Sequence, residues 1–139
     1  SHSGVLMADK TVKVVVVTPE KAVLDETAEF VVVPMIDGEL GVLPGRAPLI
    51  GRLGAGELRL TTGTATKRYF VEAGFVQVRA NTVTVITASA LSSEKVTREA
   101  AQKAAQAAEA LPSTNNVERA NKAKARERAS GMAKVAAKN

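Results

Sequence analysis

The pattern of apolar and polar positions divides this chain into two unlike parts. From Thr11 to Thr87 the apolar residues come in short β-branched runs, each closed by turn-forming residues. Thr11–Thr18 is rich in valine and ends at Pro19-Glu20-Lys21. Glu29–Ile36 closes at Asp37-Gly38, and Glu39–Leu43 closes at Pro44-Gly45. Such Gly, Pro and Asp pairs supply the backbone angles of tight turns. In Glu57–Thr62 successive side chains alternate between two faces, so Leu58 and Leu60 point one way and Glu57 and Arg59 the other. Gly63 separates this run from Thr66–Glu72, and Phe75–Val78 and Thr82–Thr87 follow on either side of Ala80-Asn81. Short strands at intervals of about ten residues predict an antiparallel sandwich or flattened barrel. No helical period interrupts them, which argues against a parallel α/β sheet.

The character changes at Leu91. Glu94–Leu111 is rich in alanine, the best helix former, and lacks Gly and Pro. Ser92 or Ser93 is placed to cap it, and Pro112-Ser113-Thr114 ends it. A second helix is expected from Asn115 or Asn116 to about Lys138, with Asn115 and Glu118 at capping-box spacing and Gly131 as a weak point. The fold class is therefore α+β: a sandwich over residues 8–91 and a two-helix antiparallel hairpin over 92–139. Ser1 to Leu6 reads as a cloning remnant and Met7 as the native start.

The apolar stripe of the hairpin is thin. Val96, Ala100, Ala104, Ala107 and Leu111 share a face of the first helix, and Val117, Ala120, Met132 and Val135 one of the second. A buried Leu or Phe stabilises by about 1.5–3 kcal/mol and an alanine by much less. The hairpin is expected to hold to the sandwich weakly.

Charge sharpens the division. Residues 1–91 hold 9 Lys/Arg and 9 Asp/Glu, and residues 92–139 hold 10 and 5, so the whole net charge of +5 lies in the last third. A basic helical tail suits an acidic partner, or is simply a solvated face. There is no cysteine, and the single histidine, His2, falls in the expected remnant. Gly51 to Gly56 is glycine-rich but lacks the Lys-Ser/Thr of a phosphate loop. No catalytic residue, metal site or cofactor is assigned. Four aromatics, not interleaved with basic residues, are a poor platform for stacking bases. No apolar run reaches the roughly 20 residues of a membrane-spanning helix.

Two motifs narrow the field. Gly38-Glu39-Leu40-Gly41-Val42-Leu43-Pro44-Gly45-Arg46-Ala47-Pro48-Leu49 closely resembles the GELG-hydrophobic-x-PGHAPL signature of the epsilon chains of bacterial F-type ATP synthases. Val71-Glu72-Ala73-Gly74-Phe75-Val76-Gln77-Val78, with Asn81 to Ala88 after it, resembles a second strand pair of that family. Pro19-Glu20 with Leu24, the turn at Gly54 and Gly56, and the length of the hairpin also fit.

The resemblance implies a non-catalytic central-stalk subunit that couples rotation to ATP synthesis. Its partners would be the gamma subunit, the ring of c subunits and, through the helices, the beta subunit. Nucleic acid is not among them, and membrane association comes only through the complex, on the cytoplasmic face of the bacterial inner membrane. Asp37, Glu39 and Arg46 match the ring-facing positions; the family usually has histidine where Arg46 stands. Arg119, Lys122, Lys124, Arg126 and Arg128 match the basic helix that meets beta when the hairpin extends to inhibit ATP hydrolysis. The family's ATP-binding Ile/Leu-Asp-x-x-Arg-Ala slot is degenerate here. Val96, Ala101 and the apolar frame remain, but Thr97 replaces the aspartate and Ala100 the arginine, so weak or absent ATP binding is expected. The alternative is a β-sandwich adaptor whose basic tail binds nucleic acid or another acidic partner.

Overall fold

The computed structural model describes residues 10–139, so the expectations for Ser1 to Met7, with His2, lie outside the described residues. Ten strands form: β1 (Val12–Val17), β2 (Ala22–Ala28), β3 (Phe30–Met35), β4 (Gly38–Val42), β5 (Leu49–Leu53), β6 (Gly56–Thr62), β7 (Ala65–Val71), β8 (Gly74–Arg79), β9 (Thr82–Thr87) and β10 (Ala90–Ser92). Their order is β10-β7-β6-β3-β5-β8-β9-β1-β2, with β4 on β3. β3 is the corner. Phe30–Val32 pairs with β6, and Met35 then pairs with Leu53 of β5. That handover folds one sheet into two layers around the inward rows of β1, β3, β6, β8 and β9. Val14, Val33, Leu58, Val76 and Val85 are fully buried there. Leu58 and Leu60 face inward, as alternation requires.

The α+β order holds, with one departure from a purely antiparallel sandwich: β1 pairs with β9 in parallel, Val14 opposite Val83. Three strands were not read from the residue pattern, although the resemblance at Pro19-Glu20 and Leu24, which fits the opening strand pair of the family, implies the first of them. β2 carries Asp25, Glu26 and Thr27, β5 has a glycine at its centre, and β10 is three residues long.

A 3-10 turn at Ser93–Lys95 precedes helices α1 (Arg98–Ala110) and α2 (Asn116–Ala137). α1 therefore starts later than expected, and Ser92 and Ser93 do not cap it. Ser92 ends β10, and Ser93 is buried with its hydroxyl 3.2 Å from Glu57. The cap is Thr97, whose hydroxyl accepts from the Ala100 amide at 3.0 Å. At α2 the expected cap is present: Asn115 Oδ1 accepts from the Glu118 amide at 2.8 Å. The Glu118 carboxylate turns back to Thr114 rather than to Asn115, accepting from its amide at 3.0 Å.

The hairpin lies on the outer face of β6 and β7. Phe70, Val96, Met132, Val135, Ala101 and Ala136 form a second, smaller core there. Ala107, Leu111, Val117 and Ala120 are exposed, so the expected stripe is right at its far end and wrong around the interhelical turn. Gly131 is a close contact, not a weak point. A Cβ built there would lie 2.8 Å from the Ala55 carbonyl oxygen and 3.2 Å from Phe70.

Candidate functional sites: two turns, two outer faces and a basic helix

Glu39 stands at the start of β4, one residue from the β3–β4 turn that holds Asp37. Arg46 stands past its other end. Five residues of strand at about 3.4 Å each separate the two turns. The structure thus brings Asp37 and Glu39 together and sets Arg46 apart. Each turn pairs a charge with an exposed apolar residue: Ile36 beside Asp37, and Leu43 near Arg46. Gly45 adopts φ +85°, the left-handed region that favours glycine. Its amide donates to Asn81 Oδ1 at 2.7 Å, which ties the Arg46 turn to the β8–β9 turn. Ala80 and Asn81 both have positive φ, as the tight two-residue hairpin turn requires.

Glu39 is already engaged. Arg59 donates to its carboxylate through both terminal nitrogens, at 3.0 and 3.4 Å. These hydrogen bonds raise the Arg59 pKa above its ordinary value. Asp37 and Arg46 are exposed.

The sandwich has two contrasting outer faces. The β6–β7 face is covered by α2. The β5–β8–β9 face is open, and register places Arg52, Phe75 and Ile86 in one row across it and Ile50, Gln77 and Thr84 in the next. Ile50 is 77% exposed, Phe75 55% and Ile86 52%. Alternation could announce this face from sequence, but not which of the two faces a hairpin would cover.

Four of the five basic residues that the sequence singled out on α2 are held within the chain. Arg126 forks onto Glu109 of α1 at 2.7 and 3.0 Å. This pairing lowers the Glu109 pKa and raises that of Arg126. Lys122 donates to the Glu109 carbonyl at 3.0 Å, and Arg119 donates to the Ser113 carbonyl and to Asn116. Arg128 pairs with Glu72 of the sandwich. Lys124 is exposed.

The residues of the degenerate nucleotide slot do structural work. Val96 and Ala101 are buried, Thr97 is the helix cap, and Ala100 packs against the smaller core. A groove of ≈ 550 Å³ runs between the helices, lined in part by Arg98, Gln102, Arg126 and Ser130.

Sequence reasoning missed a buried cluster beneath α2. Glu57 was placed correctly on the outward face of β6, yet that face is roofed by the hairpin, and Glu57 is 6% exposed. The available signal was the pair of arginines, Arg59 and Arg68, set opposite each other on β6 and β7. Two facing like charges call for an acid between them.

These features define a class of protein: a ten-stranded sandwich with an antiparallel helical hairpin docked on one outer face and the other face open. The beta-sandwich domain model of the ATP synthase delta/epsilon chain matches residues 11–93. The ATP synthase epsilon chain of Rhodopirellula baltica is 48% identical over 104 residues, 75% of this chain and 81% of the relative. That of Bacillus subtilis is 40% identical over 100 residues, 72% of this chain and 76% of the relative. The fold is also that of a chain in the cryo-EM structure of the Euglena gracilis mitochondrial ATP synthase. The TM-score is 0.76 at 23% identity, over 88% of this chain and 79% of that one. The chain belongs to the epsilon-chain family of the F-type ATP synthase.

Proposed function

We propose that the chain is a non-catalytic central-stalk subunit that grips gamma through the open β5–β8–β9 face and meets the c-ring through the turns holding Asp37, Glu39 and Arg46. The observation that carries the reading is the asymmetry of the two outer faces. One buries Phe70 under α2, while the other presents Ile50, Phe75 and Ile86 to solvent. Contiguous exposed apolar residues on a well-packed sheet mark a binding surface. Family membership supports the choice of partner and, with it, a seat in the complex that we set on the cytoplasmic face of the bacterial membrane. No helix among the described residues is long and apolar enough to cross a membrane.

The test is co-purification with gamma. The parent chain is expected to form a one-to-one complex. Phe75→Asp with Ile86→Asp should weaken it by at least about tenfold, since buried aromatic and aliphatic anchors carry most interface energy. Both side chains are exposed, so the melting of the free chain should not move. Undiminished binding by the double variant overturns the assignment of this face.

For the hairpin we infer a regulatory role: release of α2 from the sandwich would free Arg128 from Glu72, and its parting from α1 would free Lys122 and Arg126 from Glu109, so that with Arg119 and Lys124 they could meet an acidic segment of beta. Deleting residues 92–139 should raise ATP hydrolysis by the complex, and an unchanged rate removes inhibition from the account. ATP itself should bind weakly, because the slot lacks its cation and Arg126 is committed to Glu109.

A further inference from the structure

The cluster missed by the sequence reading has a geometry that a merely structural ion pair does not need. The Glu57 side chain is 4% exposed, and its two oxygens serve different masters. Oε2 lies 3.1 Å from Arg68 and 3.2 Å from the Ser93 hydroxyl, both on the sandwich side. Oε1 lies 3.2 Å from Lys138, at the end of α2, and 3.5 Å from Arg59. Arg59 is in turn the residue that holds Glu39. Next to Lys138, Asn139 accepts from Arg68 at 3.1 Å and donates to the carbonyls of Ser93 and Val96 at 2.7 and 3.1 Å.

We propose that Glu57 is a latch that holds the end of α2 on the sandwich, and that Glu39 sets its strength through Arg59. Arg59 and Lys138 compete for one carboxylate oxygen. While Glu39 engages both terminal nitrogens of Arg59, Arg59 reaches Oε1 only at 3.5 Å, Lys138 keeps the shorter contact at 3.2 Å, and the hairpin is closed. When a cationic group of a docking partner takes Glu39, the freed Arg59 swings fully onto Oε1. Lys138 loses its partner, and the last turns of α2 loosen. Contact at the β3–β4 turn is thereby read out at the far end of the hairpin, through a two-state exchange of partners that both sites bias. Naming the c-ring as that docking partner rests on the proposed function; the latch does not, and it is tested on the isolated chain.

Hydrogen exchange of the amides of Met132 to Ala136 reports the closed state. Glu57→Gln is expected to speed their exchange by about tenfold or more, because a buried cluster loses its charge while its cations remain. Lys138→Met, which alters a half-exposed side chain, should speed it several-fold. Glu39→Gln, across a shared cleft from α2, should also speed it, and the effect should vanish in the Arg59→Met and Lys138→Met backgrounds if it runs through those two residues. Such non-additivity is the mark of residues in one network. Should Glu57→Gln also expose the core amides of Val14 and Val85, the sandwich itself has failed and Lys138→Met alone decides the latch. Exchange within twofold of the parent in Lys138→Met overturns the latch. An effect of Glu39→Gln that persists in the Arg59→Met chain overturns the coupling. Loss of gamma binding by the open-face variant would leave both results untouched.

Discussion

The sandwich interior and the seam beneath the hairpin are held by different physics. The interior is built of valines and leucines with almost no solvent exposure: Val14, Val31, Val33, Leu58, Val71, Val76, Val83 and Val85 are all fully buried. Its specificity comes from side-chain alternation and register. The seam has only Phe70, Val96, Met132 and Val135 as larger apolar contacts. Around them sit the Glu57 cluster and the Arg128–Glu72 pair. Apolar burial is non-directional and difficult to switch. Ion pairs are directional and exchangeable, and the exposed ones are individually weak. Such a division suits a molecule with one rigid domain and one that is easier to detach.

The comparison can be broken at three points, in order of expected effect. Leu58→Ala, in the interior, should cost about 2–5 kcal/mol by loss of burial and creation of a cavity. Urea unfolding is expected to show sandwich and hairpin lost together at a lower midpoint; a shift below about 1 kcal/mol would mean that the interior is less tightly packed than its burial implies. Gly131→Ala, in the seam, sets two effects against each other. Alanine gains about 1 kcal/mol of helix propensity. Overpacking against the Ala55 carbonyl, 2.8 Å from the new Cβ, costs about 1–3 kcal/mol. We expect the second to win, with α2 released from β6 and the thermal transition of the sandwich kept. A hairpin that becomes better protected from exchange would show that the contact yields readily.

The smallest effect belongs to the exposed Arg126–Glu109 pair that joins the helices. Hydrogen bonding from Arg126 places the Glu109 pKa below the usual 4.5. Folding therefore favours the ionised form. The stabilisation is complete above the usual glutamate range and is lost as pH falls through the depressed folded value. Glu118, held down by Thr114, acts in the same direction. Helicity measured between pH 7 and pH 3 should decline in α2 before the sandwich yields, and Glu109→Gln should flatten that part of the profile.

Much of the fold was legible in the sequence, because period-two alternation and Gly, Pro and Asn turns act locally. Thr82–Thr87 and the Asn115 cap were read as they stand. β2 and β5 were not. Their polar and glycine-containing sequences lack the β-branched run, and pairing with β1, β3 and β8 makes them strands. The turns of the stretch that holds Asp37, Glu39 and Arg46 were clear from Gly38, Pro44 and Gly45. That Glu39 is tied to Arg59 was not, since the partners are twenty residues apart in the chain and meet only across β3. The Glu57 cluster was invisible for a related reason. A glutamate on the outer row of a strand reads as solvated until something covers it, and the covering helix lies at the opposite end of the chain.

The parallel pairing of β1 with β9 also has a consequence for how the chain reaches this fold. β1 lies between β2 and β9, and its second edge stays open until Thr82–Ile86 is in place. Closing so long a loop precedes any gain from the contacts it permits, and such topologies fold in about milliseconds to seconds. The two helices involve only neighbours in sequence and form on the order of microseconds. The hairpin is thus formed early but has no roof to rest on. Its seat on β6 and β7 is ready only when the slower sheet has assembled, and β1 waits for β9 before it is held on both sides.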